Sequence, residues 1–194
     1  MILAMAGGVA LVLLVLCVVF ALVVFAVFVG IYNGLVRGRN RVDEGWAQID
    51  VQLRRRYDLI GNLVETVKGY AGHERETLEK VTQARNMAMN ATGVKEQAQA
   101  ENILTGALKS LFAVSEAYPN LKANENFMQL QEELTGTENR ISFARQHYND
   151  VTRMYNNRCQ VFPSNIAAGM FGFSTREYFE LEDAAGREPV KVKF

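Results

Sequence analysis

The sequence opens on an uninterrupted apolar run, Ala10-Leu-Val-Leu-Leu-Val-Leu-Cys-Val-Val-Phe-Ala-Leu-Val-Val-Phe-Ala-Val-Phe-Val29, and no charged residue occurs between Ile2 and Val36. Crossing about 30 Å of hydrocarbon with a helix that rises about 1.5 Å per residue takes about twenty such residues. Because lipid offers no partner to a free backbone N–H or C=O group, the run must be helical despite its many valines and phenylalanines. It therefore predicts one transmembrane helix.

A cleaved signal peptide and a lipid anchor are the alternatives to a permanent span. A signal peptide carries a basic segment ahead of a shorter apolar run and a small-residue cleavage site after it, and here no basic side chain precedes the run. A lipoprotein signal would place a small residue directly before the cysteine, whereas Leu16 precedes Cys17. The sequence favours an uncleaved anchor without a lipid.

Three arginines, Arg37, Arg39 and Arg41, follow the apolar run. Short segments rich in Lys or Arg stay on the cytoplasmic side of a membrane, so we expect an outer N-terminus and a cytoplasmic C-terminal domain. The same arginines are candidates for contact with anionic headgroups at the membrane surface. The two cysteines, Cys17 and Cys159, lie too far apart in this arrangement to pair, which fits a reducing compartment.

The chain has 194 residues and a net charge of zero, from 21 basic and 21 acidic side chains. Removing the anchor leaves about 155 residues, enough for one modest domain with its own core. A neutral balance argues against nucleic acid as a partner, because that binding depends on neutralising phosphates. The run Arg54-Arg55-Arg56 is interpreted as a solvated helix face, since Asp50 and Asp58 flank it.

The pattern beyond the span predicts an all-α fold, because proline is nearly absent and apolar residues recur three and four positions apart. We expect helices over residues 37–72, 73–90, 95–117 and 125–161. The first could continue straight out of the span, and the sequence leaves open whether it is also continuous with the second, which would make the domain three-helical. At about 1.5 Å per residue the first and fourth are each about 52 Å long, and the second and third about 27 and 35 Å. The lengths predict an antiparallel up-down four-helix bundle with long helices one and four.

In such a bundle the shorter second and third helices cover only the half that lies away from the membrane. The membrane-proximal halves of the first and fourth helices would then expose apolar side chains, which usually mark contacts. We expect self-association or partner binding there, and the alternative is that headgroups or the C-terminal segment cover this surface. The residues concerned are Val42, Trp46, Ile49, Tyr148, Val151 and Tyr155.

The segment from residue 164 to residue 173 carries no charge, and the bundle topology places it beside the bilayer. It is either a short interfacial helix, with Phe171 and Phe173 at the membrane surface, or a lid on the bundle. The lid is favoured because the segment lacks a basic face. In the tail from residue 174 to residue 194 we expect a short helix over 177–183 followed by disorder.

Three parts of the chain follow from these patterns. Residues 1–36 form a short outer N-terminus and the transmembrane helix, and residues 37–163 form the cytoplasmic helical bundle. Residues 164–194 form an apolar membrane-proximal segment and a polar tail.

Several sequence motifs together resemble the LemA family of bacterial membrane proteins. They are Ile49-Asp-Val-Gln-Leu53, Asn62-Leu-Val-Glu-Thr-Val-Lys-Gly-Tyr-Ala71, Ala117-Tyr-Pro119, Leu121-Lys-Ala-Asn124 and Phe162-Pro-Ser-Asn165. The resemblance covers nearly the whole chain and departs at Gly61, where the family usually has proline. It implies an inner-membrane protein with one N-terminal span and a cytoplasmic helical domain, and it implies no activity.

Motifs for catalysis or metal binding are incomplete. His73-Glu74 begins like a zinc-protease helix, but Thr77 stands where the second histidine is needed, and the other histidine is His147. There is no glycine-rich phosphate loop and no nucleophile elbow. We therefore predict no catalytic, cofactor or metal site. A group of titratable side chains could in principle form a cluster between helices, and surface pairing and helix capping are favoured for it: Asp58, Glu65, His73, Glu74 and Glu138.

Asparagine is a poor interior helix residue, so its recurrence predicts caps or buried side-chain hydrogen bonds. The residues concerned are Asn62, Asn124, Asn126, Asn149 and Asn165. The loop with Tyr118 and Lys122 lies at the far end of the predicted bundle and is the candidate contact for a soluble partner. Gly30 and Gly34 at the end of the span would allow a second helix to approach closely.

Together these features predict a non-enzymatic, single-span inner-membrane protein that serves as a membrane-organising or interaction scaffold. The expected partners are the lipid bilayer and further copies of the chain. One alternative is an adaptor or signalling subunit that binds another membrane protein, and a second is a hydrolase with an unrecognised site.

Overall fold

The computed structural model describes residues 2–180, with side chains from residue 13 onward. The described chain is all-helical and contains no strand. Its helices are α1 (Ile2–Tyr70), α2 (Arg75–Asn90), α3 (Val94–Glu116), α4 (Pro119–Lys122), α5 (Glu125–Gln160) and α6 (Ser164–Phe171).

Helix α1 runs for 69 residues without a break, so the predicted span and the first predicted helix are one element. It is long and apolar enough to cross a membrane, and none of its most apolar 18-residue window is buried in the protein. A helix that is apolar on every side belongs either in a protein core or in lipid. Because no residue of this window is buried in the described chain, lipid is the environment that suits it.

The breaks between helices agree closely with the sequence prediction. A turn separates α1 from α2, with the Glu74 N–H donating to the Ala71 carbonyl at 3.0 Å, so these two helices are not continuous. Gly93 has a φ of 87°, a left-handed conformation that glycine adopts without strain, and α3 starts after it. Asn124 caps α5 as predicted, because its Oδ1 accepts the Phe127 N–H at 3.0 Å. The short helix α4 was not predicted.

The chain divides into two compact units. Of the described residues, the first unit comprises 2–43 together with Arg153–Arg176, and the second comprises Glu44–Thr152 together with 177–180. Both α1 and α5 contribute residues to each unit. The predicted division at residues 36 and 163 stays a prediction.

The core of the second unit follows the predicted four-and-three spacing along α1. Its buried side chains there are Ile49, Leu53, Ile60, Leu63 and Val67, and they are joined by Val81 of α2, Leu104 and Leu111 of α3, and Phe127, Leu134 and Ile141 of α5. Arg56 and Tyr57, which interrupt the apolar pattern in the sequence, are buried as well. The buried face of α1 therefore includes a layer of polar side chains between its apolar residues.

In the first unit, α1 and α5 approach each other closely at a glycine. A Cβ atom added to Gly38 would lie 3.1 Å from Cδ2 of Tyr155. Leu35 and Val42 of α1 and Tyr155 of α5 are buried in this unit, together with Ala167 and Ala168 of α6.

After α6 there is no helix from Phe173 to Glu180. The predicted short helix is therefore wrong over residues 177–180, and residues 181–183 of that prediction lie outside the described part. The absence of a helix has a physical reason, since side chains of α5 bond to backbone groups of Arg176, Glu177 and Phe179.

Candidate functional site

An aromatic cluster in the second unit covers the surface that the sequence analysis expected to be exposed. The Trp46 ring lies 5.5 Å from the Tyr148 ring and 5.6 Å from the Phe179 ring, centroid to centroid. The Tyr148 hydroxyl donates to the Glu177 carbonyl at 2.8 Å. Phe179 is fully buried in this cluster. Residues 177–180 therefore pack as a cover on α1 and α5 of this unit.

The expected partial exposure is therefore wrong for four of the six apolar residues. Val42, Ile49, Tyr148 and Tyr155 are buried, and Trp46 and Val151 are half-buried. The alternative explanation, in which the C-terminal segment covers the surface, is the one found in the second unit. A role for Trp46 and Tyr148 in self-association would require this cover to open.

Asn149 holds the covering segment in the second unit. Its Nδ2 donates to the Phe179 carbonyl at 3.1 Å, and its Oδ1 accepts the Phe179 N–H at 2.9 Å. One side-chain amide thus supplies both bonds that a neighbouring strand would supply. This is the buried hydrogen-bonding role predicted for Asn149.

Asn156 does the same in the first unit, a role that the sequence analysis missed. Its Nδ2 donates to the Arg176 carbonyl at 2.9 Å, and its Oδ1 accepts the Arg176 N–H at 2.8 Å. The Arg176 guanidinium also lies 3.4 Å from the Asp43 carboxylate. The signal that could have identified Asn156 is its position seven residues after Asn149 on the same helix.

A second aromatic group lies in the first unit, at the end of the apolar run. The Phe171 ring is 5.8 Å from the Phe28 ring and 4.8 Å from the Tyr32 ring. Phe173 lies 5.7 Å from Tyr32, and the Arg39 guanidinium stands 5.4 Å from the centre of the Phe173 ring, a cation–π distance. Three of the predicted membrane-surface residues, Arg39, Phe171 and Phe173, are thus brought together.

The other two predicted membrane-surface residues, Arg37 and Arg41, are exposed on α1. Of the two glycines proposed for close approach, Gly34 already has a partner in its own chain, since its carbonyl accepts from Nη1 of Arg158 at 3.0 Å. Gly30 has no atom within 4 Å of an added Cβ. It is open to a further helix or to lipid.

A buried ion pair occupies the polar layer of the second unit. Arg56 of α1 donates to the Glu101 carboxylate of α3 at 2.7 Å, and these side chains are only 4% and 1% exposed. Arg56 also donates to Thr105 at 3.1 Å and to Glu138 of α5 at 3.0 Å. The interpretation of Arg56 as part of a solvated face is therefore wrong. Its neighbour Arg54 does lie on the surface, 2.9 Å from Asp50.

Tyr57 extends this network towards α2. Its hydroxyl donates to the Glu101 carboxylate and accepts from Gln97 at 2.8 Å. Its carbonyl accepts from Nε of Arg85 at 2.7 Å. Burial, with the neighbouring Glu101 carboxylate, raises the pKa of Tyr57 far above its usual value near 10. Glu101 was missed by the sequence analysis, although it lies on the inner face of α3, three residues before buried Leu104.

The polar side chains of this network bond to one another. A buried arginine is matched by carboxylates, and the tyrosine hydroxyl and glutamine amide are bonded to each other and to the same carboxylate. Within residues 13–180, no three His, Cys, Asp or Glu side chains come together in a way that could hold a metal ion. The arrangement serves to join helices and fix their register.

The distal loop is tied to its own chain. The Tyr118 hydroxyl donates to the Glu74 carboxylate at 3.2 Å, and this bond raises the pKa of Tyr118 above its usual value. Lys122 is exposed and pairs with Glu116 at 2.6 Å. A role for Tyr118 and Lys122 in binding a partner stays a prediction.

An exposed apolar pair marks another surface of the second unit. Phe143 of α5 is 73% exposed and Val51 of α1 is 61% exposed. They line a groove of about 480 Å³ together with Gln48, Gln52, Arg140, Ala144 and His147. The sequence analysis did not predict this groove, because the spacing of apolar residues does not show that a single phenylalanine is exposed.

Comparison with known proteins places these features in a family. Residues 45–194 match the model of the LemA family. The chain is 29% identical over 148 residues to the protein LemA of Metamycoplasma hominis, covering 74% of this chain and 66% of that one. It is 25% identical over 185 residues to the magnetosome protein MamQ 2 of Paramagnetospirillum magneticum, covering 82% of this chain and 68% of that one.

The chain thus spans about two thirds of the length of these relatives. The matched region includes the buried ion pair, the capping Asn124 and both asparagines that hold the C-terminal segment. It also includes the motifs on which the resemblance was first based. The chain belongs to the LemA family.

Proposed function

We propose that this protein is a single-span inner-membrane protein whose cytoplasmic domain is a non-enzymatic, self-associating scaffold. The observation that carries the proposal is the continuity of helix α1. Its exposed apolar part and the residues that it contributes to the core lie on one unbroken helix. An anchor that is continuous with the core has no need of a flexible linker. Similarity to a LemA protein and to proteins named for the magnetosome supports a membrane-associated role.

The domain in this proposal is an antiparallel four-helix bundle of α1, α2, α3 and α5. Its support is the polar network, in which Arg56 bonds to α3 and α5 and the neighbouring Tyr57 bonds to α2 and α3. Short connections between α1, α2 and α3 favour antiparallel neighbours. The C-terminal cover over Trp46 and Tyr148 completes the bundle.

The orientation in this proposal has the N-terminus outside and the bundle in the cytoplasm. Its support is the basic segment with Arg37, Arg39 and Arg41, all exposed directly after the apolar run. Thiol labelling of intact cells tests the orientation at Cys159, with a cysteine added before the span as the control. The proposal expects an impermeant reagent to label only the added cysteine.

A scaffold role is favoured over an enzyme by the way polar side chains are used. An active site presents groups of perturbed pKa to a substrate in a cleft. Here the tyrosine with the strongly raised pKa, Tyr57, is bonded inside the core to Glu101 and Gln97. The hydrolase alternative has no comparable observation in its favour.

Self-association needs a free surface, and the Phe143 groove supplies it. Copies anchored in one membrane share an axis along the bilayer normal, so equivalent surfaces meet at equal height. Two Phe143 side chains that face each other across such an axis would bury the most exposed large apolar residue of the described second unit. The occupant proposed for this groove is therefore a second copy of the chain.

Co-purification of two differently tagged full-length copies in mild detergent tests the scaffold. The proposal expects both tags in one complex, and a Phe143→Asp variant that loses the second tag. Met89→Asp is the matched control, because Met89 is an exposed apolar residue on α2 away from this groove. A different membrane protein in equal amount, with no second tag, would support the adaptor alternative instead.

A further inference from the structure

Residues 161–173 have small apolar side chains on one side of the segment and large apolar side chains on the other. Ala167 and Ala168 of α6 are buried, and these small side chains let the helix backbone lie against its neighbours. On the other side Met170 is 68% exposed and Phe162 is 78% exposed, and Ile166 and Val161 are more than half exposed. No charged residue occurs between Val161 and Thr175. A surface of this kind is unfavourable in water.

The position of this segment within the first unit identifies what covers it. Phe171 at the end of α6 contacts Phe28, which belongs to the apolar run, and Tyr32, which lies one helical turn further along α1. The run up to Val29 is the part of α1 that the proposed function places in lipid. The exposed side chains of α6 are therefore attached to the end of the span, where hydrocarbon gives way to headgroups.

The polar groups around the segment suit the same boundary. Aromatic rings are enriched at membrane interfaces, and Tyr32, Phe171 and Phe173 form such a group here. The Arg39 guanidinium stands over Phe173 at 5.4 Å, where it can also reach headgroup phosphates. Arg158, exposed near the end of α5, donates to the Gly34 carbonyl at 3.0 Å and adds a second cation at this level.

We propose that α6 and the residues just before it are a second membrane-contact element, which inserts Val161, Phe162, Ile166 and Met170 into one leaflet at the C-terminal end of the span. The ligand is the lipid bilayer at the boundary between acyl chains and headgroups. Short apolar helices that lie in this boundary bury one face by a few ångströms without crossing. The lid and the interfacial helix are then one structure, with alanines towards the protein and larger side chains towards lipid.

The insertion rests on the anchoring part of the proposed function, and the test separates the two. Trp46 is the one tryptophan of the chain, so full-length protein with Trp46→Phe contains none. In that background Ile166→Trp and Met170→Trp report on the segment, Phe20→Trp on the span and Met128→Trp on an exposed site of α5 in the second unit. Each variant is reconstituted in phosphatidylcholine vesicles with and without lipids that carry a nitroxide near the top of the acyl chain or near its end.

We expect the shallow nitroxide to quench Ile166→Trp and Met170→Trp at least twofold more than Met128→Trp, with emission shifted to shorter wavelength. Phe20→Trp should respond most to the deep nitroxide. Quenching of Phe20→Trp without quenching of the α6 variants would overturn the insertion and leave the anchor standing. A failure of all three would contradict the anchor itself. Emission at shorter wavelength in the α6 variants without quenching would show a protein contact in place of lipid and would also overturn the proposal.

Discussion

Arg56 and Glu101 face each other inside the second unit, with Nη1 and Oε2 2.7 Å apart and both side chains almost fully buried. Taking two charges out of water is costly, and only close pairing with further hydrogen bonds compensates for it. Here Thr105 and Glu138 complete the shell of Arg56, and Tyr57 and Gln97 complete that of Glu101. The network makes the packing of α1 against α3 and α5 specific.

Removing one partner of this pair should be strongly destabilising. Glu101→Ala leaves Glu138 as the one carboxylate paired with Arg56 in this network, and we expect the free energy of unfolding to fall by about 3–5 kcal/mol. Denaturant unfolding of the full-length protein in detergent, followed by circular dichroism, measures the change. Glu133→Ala is the matched control, because Glu133 pairs with Arg55 on the surface and should cost less than about 1 kcal/mol. Equal effects of the two variants would contradict a structural role for the network.

Two tyrosines should make the protein sensitive to alkali. Burial and the Glu101 carboxylate raise the pKa of Tyr57 strongly, and burial together with the Cys159 thiol raises the pKa of Tyr155 to about 12. The folded protein then keeps protons that the unfolded chain releases near pH 10. Stability from this source is complete below pH 10 and declines above it, by up to about 1.4 kcal/mol per pH unit for each tyrosine.

Unfolding measured between pH 9 and pH 11.5 tests this dependence. Tyr57→Phe and Tyr155→Phe should each remove one part of the slope, although each also changes stability at neutral pH. A slope in Tyr57→Phe as steep as in the original chain would show that its hydroxyl is ionised in the folded state.

The sequence was a good guide where the physical signal is local. The apolar run predicts α1 by length alone, and the spacing of Ile49, Leu53 and Ile60 predicts which face is buried. Turn residues near Gly93 and Pro119 locate the breaks to within about two residues. These features depend on residues that are close together in the chain, so the spacing of residue types predicts them.

Contacts between distant residues could not be predicted in the same way. Arg56 interrupts an apolar pattern, and its burial depends on Glu101, which lies 45 residues further along the chain. The segment around Phe179 has no periodicity, because its position comes from backbone hydrogen bonds to Asn149. Three of the residues predicted for the membrane surface, Arg39, Phe171 and Phe173, lie together, and their role at a membrane stays a prediction. Cover of Trp46 and Tyr148 by the C-terminal segment was the alternative to the expected exposure, and the sequence did not decide between the two.

Asn156 should protect the chain at Arg176 from proteolysis. The backbone N–H and C=O of Arg176 are both bonded to the Asn156 amide. While these bonds are made, the backbone at Arg176 is not free to enter the active site of a protease. Asn156→Ala should increase trypsin cleavage after Arg176 about tenfold or more, since two hydrogen bonds of about 1 kcal/mol each are lost. Mass spectrometry of timed digests in detergent measures the rate.

The control for this prediction is the neighbouring exposed residue, Asn157→Ala. It changes the same type of side chain on the same helix, and it should leave the cleavage rate unchanged. A rate that rises equally in both variants would indicate general loosening of α5 in place of a specific hold on Arg176.

Gly38 should be intolerant of a larger residue. A Cβ there would lie 3.1 Å from Tyr155, so Gly38→Leu forces α1 and α5 of the first unit apart, and we expect a loss of about 1–3 kcal/mol. Gly69→Leu is the control, because no atom lies within 4 Å of an added Cβ at that position. Thermal unfolding of both variants in the same detergent measures the difference. A Gly38→Leu variant as stable as Gly69→Leu would argue against the close approach.

The mass of the full-length protein in mild detergent, measured by light scattering with the detergent contribution subtracted, tests the central claim most directly. A self-associating scaffold predicts a defined oligomer of the 21.7 kDa chain that persists on dilution to micromolar concentration. It also predicts that Phe143→Asp shifts this oligomer to the monomer, while Met89→Asp leaves it intact. A monomer at every concentration, for the original chain and both variants, would contradict self-association.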